Sequence, residues 1–305
     1  MSLETYAYGD HDLQTVTVAR PYPAPALDST NTKAEAESGY WVILIHGGAW
    51  RDPTQTATTY LTPALSILTS PTTTTNKDSK PITGLASISY RLSLHPAHPQ
   101  NPNDTETPPT MLRDAKHPDH LNDIQSALRF LQERYSFGQR YILVGHSCGA
   151  MLAFQGVMSS LFPQGISGSG YATPIAVLGM AGIYDLRLLR DTHKSISAYQ
   201  EFIEGAFGAD EAVWDSVSPG VGGVDGWGSG RVVVLAQSKG DTLIDGAQGE
   251  GMKKALESWE KNGSKGRREV HSLVIEGEHD EAWEKGDELA RGILFTIEKL
   301  QEMGL

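Results

Sequence analysis

The sequence predicts a doubly wound α/β fold: a mainly parallel sheet with helices on both of its faces. Two observations carry this. Short runs rich in Val, Ile and Leu recur along the chain, and most are apolar at every position rather than at alternate ones. Strands read this way when both faces of a parallel sheet are covered. Between those runs lie segments with helical spacing, and strand alternating with helix is the pattern of a parallel sheet wrapped by crossover helices.

Taken in order, residues 15–19, 40–45, 85–90, 141–144, 175–180, 232–236 and 270–275 are the expected strands. Leu121, Ile124, Leu128 and Leu131 form one stripe of an amphipathic helix. Met252, Leu256 and Trp259 form another, and residues 280–303 read as one long terminal helix. Residues 70–81 and 95–118 are loops by their Pro, Asn and Thr content, while 219–230 and 263–268 are Gly-rich and look mobile. Residues 185–218 hold short helix-like pieces, including 198–207, and are expected to form a small helical cap. In a sheet of this kind the cap sits above the carboxyl ends of the strands, where ligands bind. No repeat or boundary interrupts the chain, so residues 1–305 are expected to form one domain.

At 305 residues the chain is within reach of one large α/β unit, and 39% hydrophobic residues supply a sizeable core. The formal net charge of −12 argues against a nucleic-acid or anionic-membrane surface. The single cysteine, Cys148, rules out an internal disulfide and a Cys-based zinc cluster. The opening residues lack the basic and apolar regions of a signal peptide, and no run approaches the roughly 18 apolar residues of a membrane span. A soluble, cytoplasmic protein is expected.

The strongest chemical signal is Gly145-His146-Ser147-Cys148-Gly149, between an apolar strand and a helical run. This G-x-S-x-G turn holds a serine in a strained conformation with its hydroxyl lifted into a site, and close chain approach leaves room only for glycine on either side. A serine hydroxyl is a poor nucleophile and needs a base, itself held by an acid. In folds carrying this turn the acid and then the base follow the serine, each just after a strand. Asp241 and His279 stand at those places. Asp245 is the rival acid, but it falls where the next helix should begin and reads better as a helix N-terminal carboxylate. Asp280 is expected to cap the last helix.

His46-Gly47-Gly48-Ala49-Trp50 ends another strand. Glycines let a backbone approach closely enough to aim amides at a developing oxyanion. The expected donors are the amides of Gly48, Ala49 and Cys148, so the amide of Cys148 matters more than its sulfur. His46 and His146 are expected to brace loops by hydrogen bonds, and Arg91 to anchor them. Two histidine pairs, His95 with His98 and His117 with His120, invite a metal reading. Each has proline at its second position and lacks the rigid helical spacing of a metal-binding pair, so neither metal nor cofactor is expected.

HGGAW at 46–50, SYRL at 89–92, GHSCGA at 145–150 and the late Asp and His resemble the α/β-hydrolase superfamily, on its hormone-sensitive-lipase-like side. With GIYDL at 182–186 and GEHDEAW at 277–283 the chain is similar, more narrowly, to fungal kynurenine formamidases, from about residue 40 onward and with longer intervening loops. The resemblance implies metal-free hydrolysis of N-formyl-L-kynurenine to formate and L-kynurenine in tryptophan breakdown. Its partner is then a small-molecule substrate, and a homodimer is compatible with it. Trp50, Tyr184 and Trp283 are candidates for an aromatic wall around the substrate ring, each equally readable as core. The alternatives are a general short-chain carboxylesterase and a non-catalytic binding protein on the same fold. Presence of nucleophile, acid and base together favours an enzyme.

Overall fold

Alternation along each central strand explains why its run is apolar throughout. The computed structural model describes residues 3–19, 39–69, 82–100, 107–163, 169–263 and 266–305. In β3 (Tyr40–Ile45), Ile43 and Ile45 enter one core while Val42 and Leu44 enter another on the opposite face. β5 (Tyr141–His146), β6 (Ala176–Met180) and β7 (Val232–Ser238) divide in the same way: Leu143, Val177 and Val233 to one side, Val144, Leu178 and Val234 to the other. Each of these side chains is fully buried, a gain of about 1.5–3 kcal/mol apiece.

The remaining strands are β1 (Leu3–Ala7), β2 (Thr15–Ala19), β4 (Ile82–Ile88) and β8 (Glu269–Ile275). All eight form one sheet in the order β1-β2-β4-β3-β5-β6-β7-β8. Pairing is parallel from β4 to β8 and antiparallel for β1 with β2 and β2 with β4. The doubly wound sheet expected from the sequence is therefore present, with one added strand, β1.

On the first face pack α2 (Asp119–Tyr135), through Leu121, Ile124, Leu128 and Leu131, and α3 (Cys148–Gln155). On the second pack α1 (Ala57–Leu68), started by a capping box between Thr56 and Thr59, and α11 (Asp287–Glu302). The terminal segment is not the single helix expected. α10 (Glu281–Glu284) ends before Gly286, whose φ is +80°, and α11 starts after it. A Cβ at Gly286 would stand 2.4 Å from the Pro63 carbonyl of α1, so the break is fixed by a neighbour distant in sequence. Asp280 accordingly does not cap α11; its Oδ1 accepts the indole N–H of Trp283 instead.

Residues 185–218 form α4 (Leu186–Thr192), α5 (Ser197–Phe207) and α6 (Glu211–Val217), the first capped by Asp185 and the third by Asp210. α5 is pinned at two points to the strand-end loops. Glu201 pairs with Arg51 at 2.7 Å, and the Tyr199 hydroxyl donates to the Leu243 carbonyl at 2.8 Å.

The segment 219–230, expected to be a mobile loop, opens with α7 (Pro219–Gly222) and buries Val224 and Trp227. Trp227 stacks on Trp259 at 4.9 Å. Two apolar side chains three residues apart tie this glycine-rich stretch to the core. α8 (Gly246–Ala255) and α9 (Glu257–Lys261) follow β7. Residues 70–81, with 101–106 of the 95–118 loop and 264–265 of the 263–268 loop, lie outside the described residues. Among the described residues no helix is long and apolar enough to cross a membrane.

Candidate active site

Ser147 sits between β5 and α3 with φ 55° and ψ −122°, a left-handed conformation that side chains rarely adopt. The flanking glycines are sterically obligatory. A Cβ at Gly145 would stand 2.1 Å from the Gly149 carbonyl oxygen, and one at Gly149 would stand 2.3 Å from that of Ile45. The serine backbone is fastened on both sides: its N–H donates to Met180 O at 2.9 Å, and its carbonyl accepts from Ile183 N at 3.1 Å.

Asp241 follows β7 and His279 follows β8, and the structure brings them together. His279 Nδ1 donates to Asp241 Oδ2 at 2.9 Å, and the aspartate side chain has no solvent exposure. Its other oxygen accepts the amides of Leu243 and Ile244 at 2.9 and 2.8 Å. A carboxylate held by two N–H groups and a ring is an acceptor at every position, which orients it and fixes the imidazole tautomer. Asp245 caps α8 by accepting the Ala247 amide at 2.8 Å. Among the described residues no hydrogen bond joins the ring to Ser147 Oγ. Such bonds are often long before substrate binds.

Gly48, Ala49 and Trp50 have φ values of 93°, 49° and 59°, three left-handed residues in succession. The amides of Gly48 and Cys148 have no acceptor among the described residues, as an oxyanion site requires. The Ala49 amide likewise has no hydrogen-bond acceptor among the described residues. Burial pushes the Cys148 thiol up to about 11, although nearby N–H groups, that of Trp50 first, oppose it.

The aromatic wall expected from Trp50, Tyr184 and Trp283 is not formed. Trp50 has no accessible surface and lies against Phe207 at 5.0 Å. Tyr184 packs on Phe154 at 5.6 Å and Trp283 on Tyr60 at the same distance. All three are core, because a large aromatic close in sequence to a functional loop packs behind it as readily as in front of it.

One supporting residue, Gln248, carries no sequence signal, whereas His146, His46 and Arg91 were expected as braces and an anchor. Gln248, fully buried on α8, accepts the Tyr184 and Asp185 amides at 2.7 and 2.9 Å and so holds the loop after β6. His146 stands under the base, with Nε2 donating to the His279 carbonyl. His46 donates to the Gly47 carbonyl at 2.9 Å. Arg91 binds the buried Asp123 through Nε and Nη2, at 3.0 and 2.8 Å.

Among the described residues one group of three could approach a metal: His146, His279 and Asp280, with ligand atoms within 4.8 Å of one another. Each already has a protein partner, respectively the His279 carbonyl, Asp241 and the Trp283 indole. The rings of His95 and His98 lie 4.9 Å apart, while His117 stacks on Phe207 and His120 meets Ser93 Oγ at 3.1 Å.

No protein-family model matches the chain. It is 40% identical over 274 residues to a kynurenine formamidase-like hydrolase of Fusarium equiseti, covering 89% of this chain and 87% of that protein. It is 34% identical to a kynurenine formamidase of Aspergillus versicolor, covering 81% and 84%. Among solved structures, esterase B of Lactobacillus rhamnosis aligns with a TM-score of 0.63 at 17% identity, over 99% of this chain and 85% of that one. An esterase of Thermogutta terrifontis aligns at 0.60 and 18%, over 99% and 92%. The two esterases share its fold, and the fungal relatives place it more closely: the chain is a hydrolase that belongs to the kynurenine formamidase family, built on the α/β-hydrolase fold.

Proposed function

We propose that the protein hydrolyses N-formyl-L-kynurenine to L-kynurenine and formate, with Ser147 as nucleophile, His279 as base and Asp241 as the acid that orients it. The single observation that carries this is the His279–Asp241 pair at the carboxyl edge of the sheet, beside a serine on a left-handed turn. His279 takes the hydroxyl proton as Ser147 attacks the formyl carbon. Asp241 stabilises the imidazolium, and the amides of Gly48, Ala49 and Cys148 receive the oxyanion. The protonated ring then gives its proton to the leaving arylamine. Water, activated by the same ring, releases formate and restores the serine. No step calls on a metal.

An aryl formamide suits this machinery. Its nitrogen lone pair is shared with the ring, so the carbonyl is more electrophilic and the amine a better leaving group than in a peptide. The formyl group needs little room beside the oxyanion. The names of the fungal relatives point to the same substrate. We place the step in tryptophan breakdown, in the cytoplasm.

The test is a hydrolysis panel. N-formyl-L-kynurenine should give a higher kcat/KM than short-chain nitrophenyl esters, which still react because they share the acyl chemistry. Ser147→Ala should lower turnover of both by several orders of magnitude while leaving binding largely intact. A preference for esters with bulky acyl chains would make the protein a general carboxylesterase. Failure of Ser147 to react with a fluorophosphonate would make it a binding protein.

A further inference from the structure

The left-handed run Gly48-Ala49-Trp50 has no helix or strand to hold it, and such backbone persists only where its surroundings over-determine it. Two buried side chains supply that constraint from outside the loop. Tyr90, just beyond β4, directs its hydroxyl at the carbonyls of His46 and Gly47, 3.0 and 3.2 Å away. Its ring is fully buried, stacked on His46 at 4.5 Å and edge-on to His120 at 6.2 Å. Cys148, on the elbow helix, accepts the Trp50 amide at 3.3 Å through its sulfur, which also lies 3.6 Å from the Tyr90 hydroxyl.

We propose that Tyr90 and the Cys148 side chain are positioning residues that set the oxyanion loop, clamping it on both sides of Gly48 and Ala49. This rests on the serine-hydrolase reading above but not on the identity of the acyl substrate. The proton inventory is consistent. The Tyr90 proton goes to the loop carbonyls, the thiol proton goes to the Tyr90 oxygen, and the sulfur lone pairs remain for the Trp50 N–H. A neutral thiol is needed for this, and burial keeps it neutral. Cys148 then joins the two halves of the site, its own amide facing the oxyanion while its sulfur holds the segment that offers the other two donors. Sub-ångström placement of such donors decides how much charge they stabilise.

The experiment compares wild type, Tyr90→Phe, Cys148→Ala and Cys148→Ser in the full chain, using p-nitrophenyl acetate and N-formyl-L-kynurenine. Each variant is also titrated with a boronic acid, which forms a tetrahedral adduct on the serine. Tyr90→Phe and Cys148→Ala should each lower kcat on both substrates by about 10- to 100-fold, with KM within about threefold. Boronate affinity should fall in parallel, and Cys148→Ser, which keeps an acceptor, should recover part of the loss. Unchanged kcat and boronate affinity in variants with lowered thermal stability would overturn the proposal, since a merely structural role predicts that pattern. If Tyr90→Phe does not fold, the two Cys148 variants decide by the same criteria. Wild-type protein inert to both the ester and a fluorophosphonate would instead defeat the serine-hydrolase reading.

Discussion

His146 Nε2 stands 3.0 Å from the carbonyl oxygen of His279, and the two rings lie 4.6 Å apart. A carbonyl can only accept, so Nε2 carries the proton and the buried Nδ1 is left bare. Burial holds this imidazole well below its ordinary pKa, so it stays neutral beside His279, the proposed base, which must become charged in the proposed mechanism. His146→Leu should remove the anchor on the base and lower kcat by about tenfold, while His146→Gln, which retains a donor, should lose less. Steady-state kinetics on a nitrophenyl ester compares the two.

Asp241→Asn should be far more damaging. The amides of Leu243 and Ile244 already claim one side-chain oxygen, so an asparagine would keep its oxygen there and turn its NH2 toward His279. The ring would then have to accept at Nδ1 and carry its proton on the nitrogen meant for Ser147. A loss of about 10³–10⁴ in kcat with little change in KM is expected. A loss under tenfold would argue that another carboxylate can serve.

Gly149→Ala tests the elbow itself. The added methyl would meet the carbonyl oxygens of Ile45 and His46 at 2.3 and 2.5 Å, and these are backbone atoms of a central strand end. Relief requires moving β3 or α3. The cost should reach or exceed the roughly 1–3 kcal/mol of an overpacked core. Urea unfolding measures this directly, and a variant of wild-type stability would show that the strand and helix separate more easily than their packing indicates.

The fold should also be acid-sensitive for an identifiable reason. Burial lowers His46 from 6.5 to about 4 and His120 to about 3, and lowers His146 as well. For His120 the nearby His117 and Arg91 add repulsion. Above the unfolded value near 6.5 these rings are neutral in both states, and their contribution is complete. Below it the unfolded chain takes up protons that the folded protein refuses, until pH reaches the lowered values. Stability should therefore fall by about 1.4 kcal/mol per pH unit for each ring on the way from pH 6.5 toward 4. Unfolding free energies at pH 7, 5.5 and 4.5 give the slope, and His120→Gln should make it shallower. An unchanged slope would mean that His120 titrates normally.

What could be read in advance follows from where the determining contacts lie. Ser147, Asp241 and His279 were legible because each ends or follows an apolar run, and the edge of a parallel sheet gathers such positions whatever the loops between them. Gly145 was legible because the atoms that crowd it, in Gly149, are one turn away, and Gly149 because it completes the same turn motif, although it is Ile45 and His46 that crowd it. Gly286 was not: Lys285-Gly286-Asp287 resembles any mid-helix stretch, and only the Pro63 carbonyl, from the first quarter of the chain, forbids continuation. β1 was too polar to stand out, as befits an exposed edge strand. The aromatic assignments failed because sequence places Trp50 beside the site without saying which way it faces.

The long sequence separations inside the site have a consequence for how it comes into being. Trp50 and Cys148 are 98 residues apart, His146 and the His279 carbonyl 133, and Asp241 and His279 38. Closing such loops costs entropy that is recovered only once the intervening strands have paired, so chains of this kind gain their last contacts late. During synthesis Ser147 leaves the ribosome long before the histidine proposed as its base does. On the proposed mechanism, until residue 279 has emerged and docked against His146 and Asp241, the Ser147 hydroxyl is an ordinary alcohol, and a half-made chain is chemically silent.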